Sequence, residues 1–181
     1  MMEQHYLDDM RRQLRKLKAQ ADQALAQVAE EQWFATIGPE SNSIAVIMKH
    51  LAGNMRSRWT GFLTSDGEKP DRDRDAEFES QPADTAAAIR LRWDEGWNLA
   101  FQAIGALTPA DLQKTITVRG EAHTVVEAID RQAIHYAGHV GQIVYLARHY
   151  AGENWNTLSI PKGKSKQFEV AKTGLPYNPK S

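Results

Sequence analysis

The chain has 181 residues, of which 41% are apolar and 25% are charged, and these fractions are typical of one folded domain rather than a disordered or fibrous chain. Its 22 basic and 23 acidic residues give a net charge of −1, which argues against a general nucleic-acid-binding surface. The absence of cysteine excludes disulfides, thiolate nucleophiles and cysteine zinc sites. Neither a signal peptide nor a membrane span is indicated, so we expect a cytoplasmic protein with no membrane or nucleic-acid partner.

The first segment, about residues 3–30, predicts a long amphipathic helix. Its apolar residues recur at alternating steps of three and four: Leu7, Met10, Leu14, Leu17, Ala21, Ala24 and Val28. The basic residues of this segment lie mostly off that stripe, which indicates a solvated face rather than a nucleic-acid patch.

A second helix is predicted after the break at residues 38–41, with an apolar face that runs from Ile44 to Phe62.

Residues 64–81 are polar and acidic. Their Asp71, Asp73 and Asp75 have the spacing of a calcium loop, but a calcium loop needs glycine where Ala76 stands, so we expect a solvated loop. At about 3.3 Å per residue this connection can cross the length of a helix bundle, which allows the second and third helices to run parallel.

The rest of the chain predicts two more helices, a hairpin and an irregular tail. A third helix spans about residues 82–107, and residues 115–123 predict a β-hairpin that turns at Gly120. A fourth helix starts at Thr124, whose spacing to Glu127 is that of a capping box, and ends near residue 151. Four amphipathic helices predict an all-α four-helix bundle over residues 1–151, with residues 152–181 as a C-terminal arm packed on it.

The fourth helix carries the strongest chemical signal, the pair His135 and His139. Residues four apart lie on one helix face, about 6 Å apart along the axis, so two imidazoles so placed can bind one metal ion. At 100° per residue from Ile129, both lie about 80–120° from the centre of the apolar stripe, at the edge of the core. Two ordinary polar residues are the plainer reading of such a pair. The zincin motif is absent because Tyr136 stands where its glutamate belongs.

A third imidazole is available on the second helix. His50 lies about 120° from Ile44, again beside the apolar face, so both helices place histidine where one site can be shared. Three nitrogen ligands leave a fourth position open, which is the arrangement of a catalytic zinc site. His5, His123 and His149 fit less well, and Asp94 and Glu95 are candidates for outer partners of the ligands.

Three stretches of this chain resemble the DinB/YfiT-like superfamily, in particular an uncharacterised bacterial branch. They are residues 50–56 (HLAGNMR), residues 135–143 (HYAGHVGQI) and residues 155–165 (WNTLSIPKGKS). The resemblance implies a bundle with up-down-down-up connectivity, a homodimer, and a metal site built from His50, His135 and His139. Characterised members of the superfamily include thiol-dependent S-transferases and isomerases that use a small-molecule thiol.

Two functions follow as hypotheses. In the first, a divalent transition metal (Zn, Ni, Co or Fe) on the three histidines serves a metal-dependent enzyme, with thiol S-transfer or hydrolysis as the reaction. Asn54, one turn after His50, either orients a substrate or makes a hydrogen bond between helices. In the second, the bundle is a non-catalytic metal-binding or dimerisation module, and the lack of an acid or base beside the histidines favours it.

Overall fold

Four long helices and a small hairpin make up the computed structural model, which describes residues 1–169 and 178–179. The helices are α1 (Met2–Leu25), α2 (Ile44–Trp59), α3 (Ala86–Ala106) and α4 (Val125–Ala151). The strands are β1 (Thr115–Val118), β2 (Glu121–Thr124), β3 (Phe168–Glu169) and β4 (Asn178–Pro179). Short 3₁₀ turns lie at Glu30–Phe34, Asp75–Phe78, Pro109–Asp111, Gly152–Asn154 and Ser165–Gln167. The predicted all-α class and the hairpin before the last helix are confirmed.

Side-chain caps fix where three of the helices begin. Ser43 accepts a hydrogen bond from the Val46 amide at the start of α2, and Thr85 accepts one from the Ala88 amide at the start of α3. Thr124 and Glu127 form the predicted capping box of α4. The third helix therefore begins at its cap rather than at residue 82, and α1 ends at Leu25, about one turn earlier than expected.

Contacts between helices define their directions. Near the start of α2, Lys49 pairs with Asp84, the residue before the Thr85 cap of α3, and further along α2 Ala52 lies against Gly96, so α2 and α3 run parallel. Tyr6 near the start of α1 donates to Asp130 near the start of α4, and these two helices are also parallel. The two pairs are antiparallel to each other, since Arg11 near the start of α1 donates to the Ile104 carbonyl near the end of α3, as the expected up-down-down-up connectivity requires.

The core lies between the four helices and is rich in aromatic side chains. Its largest fully buried members include Trp33, Trp93, Trp97 and Tyr136. Full burial of a large apolar side chain stabilises the fold by roughly 3 kcal/mol or more. Trp155 and Leu158 of the C-terminal arm pack against this core. The arm is predicted to pack on the bundle through apolar residues that include Leu175 and Tyr177, and these two lie outside the described residues.

The connection between α2 and α3 is more ordered than the predicted solvated loop. The Asp66 carboxylate accepts hydrogen bonds from the amides of Arg119 and Gly120, at the positive-φ turn of the hairpin. Glu77 in the 3₁₀ turn Asp75–Phe78 is buried. The expectation of a solvated loop holds for Asp71, Asp73 and Asp75, which are exposed. It is wrong for Glu77, because the connection folds back over the side of α2 at Gly53 and buries this side chain.

No helix among residues 1–169 combines the length and the apolar character that a membrane crossing requires.

Candidate metal centre

One turn of α4 brings two imidazoles together. The Nε2 atoms of His135 and His139 are 3.1 Å apart, and the two rings are nearly perpendicular. Both side chains are half-buried, which matches their predicted place at the edge of the apolar face. The Cβ direction in a helix makes residues four apart meet in this way.

His50 of α2 completes the cluster from the opposite side. It is buried, and its Nε2 lies 3.2 Å from Nε2 of His135. One nitrogen from each of the three rings falls within 4.8 Å of the other two. The structure therefore brings together the three histidines that the sequence singled out, and they could hold a metal ion.

Two of the three separations between these nitrogens are those of metal ligands, and the third is at most 4.8 Å. Zinc–nitrogen bonds of 2.0–2.1 Å at tetrahedral angles place neighbouring nitrogens about 3.3 Å apart. The observed separations of 3.1 and 3.2 Å are close to this value. The alternative is a chain of hydrogen bonds between the three rings. If His50 and His139 carry their lone pairs on Nε2, this chain needs a proton on Nε2 of His135, and one proton can serve only one of the two neighbours.

The hydrogen bonds made by the Nδ1 atoms indicate which ring nitrogens are available to a metal. Nδ1 of His50 is 2.8 Å from Oε2 of Glu77, and Nδ1 of His139 is 2.8 Å from Oε1 of Gln142. In a neutral imidazole, an oxygen acceptor at Nδ1 places the ring proton there and leaves on Nε2 a lone pair, which in both rings is directed into the cluster. At least one of the two close contacts therefore sets two lone pairs against each other, and a cation between them removes that repulsion.

Burial favours the neutral imidazole at His135 and at His139, which is the form that binds metals. Burial is the main cause that lowers the pKa of His135 to about 4, and the charges of His139 and His50 act in the same direction. Burial also lowers the pKa of His139, against the opposing effect of its hydrogen bond to Gln142.

Glu77 is the carboxylate beside the cluster, and Arg72 holds it in place. Arg72 donates from Nε to Oε1 at 2.8 Å and from Nη2 to Oε2 at 2.9 Å. Burial by itself raises the pKa of Glu77, but the hydrogen bonds from His50 and Arg72 outweigh burial and keep this pKa below its usual value. The phenyl ring of Phe78 lies against the His50 ring with 4.8 Å between centroids.

Asn54 lies in α2 one turn after His50 and is buried. Its Oδ1 accepts a hydrogen bond from the Tyr136 hydroxyl at 3.1 Å, which links α2 to α4. This contact is the helix–helix alternative that the sequence left open for Asn54. Burial raises the pKa of Tyr136, so its hydroxyl is a donor to Asn54 rather than a base. An orienting role of Asn54 toward a substrate stays a prediction.

The remaining histidines and the two suggested outer carboxylates lie elsewhere. His5 and His149 are exposed, and His123 is in β2 near Glu121. Asp94 pairs with Lys18 of α1. Glu95 lines a cavity of about 730 Å³ between α2, α3 and their connection.

A second cavity, of about 520 Å³, lies beside His139. Gly138 and Gln142, which flank this histidine on α4, form part of its wall, and Tyr145 extends the wall along the helix. Ile37 and residues 40–42, before α2, form the other side. This volume is within the range of small-molecule sites. The cavity meets the cluster through Gln142, which contacts His139, and the three histidines themselves do not line it.

Sequence reasoning missed Glu77, Arg72 and Gln142. Gln142 could have been found, because a residue three positions after His139 lies on the same helix face. No sequence pattern marks Glu77 or Arg72 as site residues, because both lie among many charged residues of the connection. They reach the site only because the connection folds across α2.

The fold and the site together define a helical bundle with a candidate three-histidine metal centre. Residues 1–164 match the sequence model of the family described as "Protein of unknown function (DUF1572)". Because this match covers most of the chain, the protein belongs to that family. No curated protein and no solved structure matches the chain.

Proposed function

We propose that this chain is a DinB-like protein that holds a divalent transition metal on His50, His135 and His139. The single observation that carries the proposal is the convergence of the three histidines, with Nε2 of His135 at 3.1–3.2 Å from Nε2 of each of the other two. Three neutral imidazoles suit Zn, Ni, Co or Fe, and the ligand set does not select among them.

We further propose that the centre serves an enzyme of small-molecule chemistry, a thiol S-transferase or a hydrolase. Three protein ligands leave a position for an exogenous group, where a bound divalent metal favours the deprotonated form of a thiol or of water. The cavity next to His139 supports a small substrate, and the resemblance to thiol-using relatives supports a thiol. Asn54 is the proposed orienting side chain.

A non-catalytic metal-binding or dimerisation module is the second candidate. One observation favours it: Glu77, the carboxylate that contacts the cluster, is fully engaged by Arg72 and His50 and is not free to move protons. In this candidate the metal acts through the conformation or the association of the bundle.

We also propose that the protein forms the homodimer that the resemblance implies. Ile134 and Tyr145 lie three turns apart on the solvent side of α4 and are 74% and 68% exposed, so a second copy has apolar surface to cover there. Sedimentation equilibrium of the wild type and of Ile134→Glu measures this. A monomeric wild type contradicts the proposal.

Metal content tests the centre directly. We expect about one metal per chain in protein purified without a histidine tag, and a large loss in His135→Ala and in His139→Ala. His149→Ala, on the exposed side of the same helix, is the matched control and keeps its metal. Near-zero content in every protein, also after incubation with Zn²⁺ and Ni²⁺, contradicts the proposal.

Assays of the metal-loaded protein separate the two candidates. Small thiols are offered together with electrophiles, and ester and amide substrates are offered with water alone. Turnover that disappears in His135→Ala supports the enzyme. A metal-loaded protein that turns over none of a broad panel favours the binding module.

A further inference from the structure

We propose that Glu77 is the positioning residue of the metal centre, and that Gly53 and Arg72 place its carboxylate. In this arrangement Glu77 fixes the ring of His50 so that Nε2 faces His135 and His139. The inference rests on the proposed metal site and extends it to a residue outside the four helices.

The carboxylate of Glu77 is pre-organised by partners other than His50. The residue is 7% exposed, and burying a carboxylate without partners is strongly unfavourable. Both oxygens accept hydrogen bonds from the guanidinium of Arg72, whose side chain is itself only 5% exposed. Paired contacts of this kind hold both position and orientation. The acceptor for Nδ1 of His50 is therefore in place independently of any metal.

Gly53 provides the space in which Glu77 sits. A Cβ atom at this position would lie 2.1 Å from Oε1 and 2.8 Å from the carboxyl carbon of Glu77, which is far inside contact distance. Glycine inside a helix costs about 0.5–1 kcal/mol relative to alanine. Gly53 therefore destabilises α2 slightly, at a position one turn from His50. Its missing side chain lets the carboxylate of Glu77 reach the His50 ring.

The contact has a defined effect on a metal ligand. A carboxylate that accepts the outer proton of an imidazole fixes its tautomer and makes the inner nitrogen a stronger donor to the metal. Its negative charge also offsets part of the charge that a divalent ion brings to three neutral ligands. Loss of such a partner typically costs 10–100-fold in metal affinity.

Glu68 offers a matched control within the same connection. It accepts hydrogen bonds from Arg119 at 2.7 Å and Arg58 at 3.1 Å, and it approaches Arg72 at 3.4 Å. Glu68 contacts no histidine, so Glu68→Gln disturbs the ion pairs of the connection without touching the ligands. If Glu77 were only an anchor for the connection, the two substitutions would have similar effects on metal binding.

The experiment measures Zn²⁺ affinity by chelator competition for five proteins: wild type, Glu77→Gln, Gly53→Ala, Glu68→Gln and Gly105→Ala. Gly105 lies in α3, where an added methyl group would meet open space, so its alanine variant controls for a glycine change in a helix. We expect the dissociation constant to rise 10–100-fold in Glu77→Gln and in Gly53→Ala, and to stay within about twofold in both controls. The visible absorption of the Co²⁺-loaded proteins is expected to change in the first two variants only.

Each result has a distinct meaning. A wild type that binds no metal removes the proposed function and this inference with it. A wild type that binds metal, with Glu77→Gln and Gly53→Ala within twofold of it, overturns the inference and leaves the centre intact.

A measurement on the wild type keeps the inference testable if both variants unfold. Nitrogen NMR of the His50 ring in the Zn²⁺-loaded protein is expected to show a protonated Nδ1 and a metal-bound Nε2, since Glu77 accepts from Nδ1. Zinc bound through Nδ1 of His50 overturns the inference.

Discussion

The indole nitrogen of Trp59 lies 2.9 Å from the hydroxyl of Tyr136 and donates a hydrogen bond to it. The same hydroxyl donates to Asn54, so one oxygen satisfies two buried polar groups of α2 from its place on α4. Tyr136 directly follows His135, and the contact therefore also fixes α4 at the level of the metal centre.

Tyr136→Phe is expected to lower the free energy of unfolding by about 1–3 kcal/mol, because it leaves the Trp59 indole and Asn54 without their buried partner. Urea denaturation of the metal-free protein measures the change. Tyr145→Phe is the control, since that side chain is 68% exposed and its loss of hydroxyl should matter little. Equal stability of the two variants would contradict the buried network.

Zinc is expected to stabilise the folded chain in proportion to the logarithm of its free concentration above the dissociation constant. A ligand that binds only the native state adds about 2.7 kcal/mol at 100 times its dissociation constant. Thermal unfolding at increasing Zn²⁺ measures this, and His139→Ala should lose most of the increase. An increase that persists in His139→Ala would assign the binding to another part of the chain.

The Glu68 carboxylate predicts an acid-sensitive contribution to stability. Burial alone raises its pKa, but hydrogen bonds and charge from Arg119 and Arg58 outweigh burial and lower the pKa to about 2. A folded-state pKa below the ordinary value of 4.5 stabilises the fold fully above pH 4.5, and this stabilisation is lost as the pH falls toward 2.

Glu68→Gln should therefore be less stable than the wild type by roughly 1–2 kcal/mol at pH 6, a figure reduced for the partial exposure of the group. The difference should shrink at pH 3. Urea denaturation at both pH values tests the sign. A difference that grows on acidification would show that the ion pairs of Glu68 do not stabilise the fold.

Gly138→Ala is expected to raise the free energy of unfolding by about 0.5–1 kcal/mol, since glycine inside a helix costs that much. A methyl group at this position meets open space. Gly152→Ala, at the end of α4, is the opposing control, because its φ of +54° is unfavourable for a side chain. Denaturation curves of the two variants should shift in opposite directions, and a destabilised Gly138→Ala would contradict the open space described there.

The helices and the hairpin could be predicted because their signals are local. The alternation of Leu7, Met10 and Leu14 defines one face of α1, and the spacing of Thr124 and Glu127 gives the start of α4 to the residue. The convergence of His50 with His135 and His139 was also predictable, because each histidine lies beside an apolar stripe that must face the core.

What could not be predicted depends on contacts between distant parts of the chain. Glu77 is one of many acidic residues between α2 and α3, and nothing in its neighbourhood distinguishes it from exposed Glu79. Its burial follows from the path of the connection, from Arg72 and from the missing side chain at Gly53. One wall of the cavity beside His139 is likewise formed by Ile37 and residues 40–42, which have no regular pattern.

The parallel arrangement of α2 and α3 has a chemical consequence. When two consecutive helices are parallel, the segment that connects them must run back along the length of the bundle. That return route passes the outer side of α2 and delivers Glu77 to the back of the His50 ring. A short antiparallel turn would save the residues and leave the imidazole without its acidic neighbour, so the topology itself supplies one component of the centre.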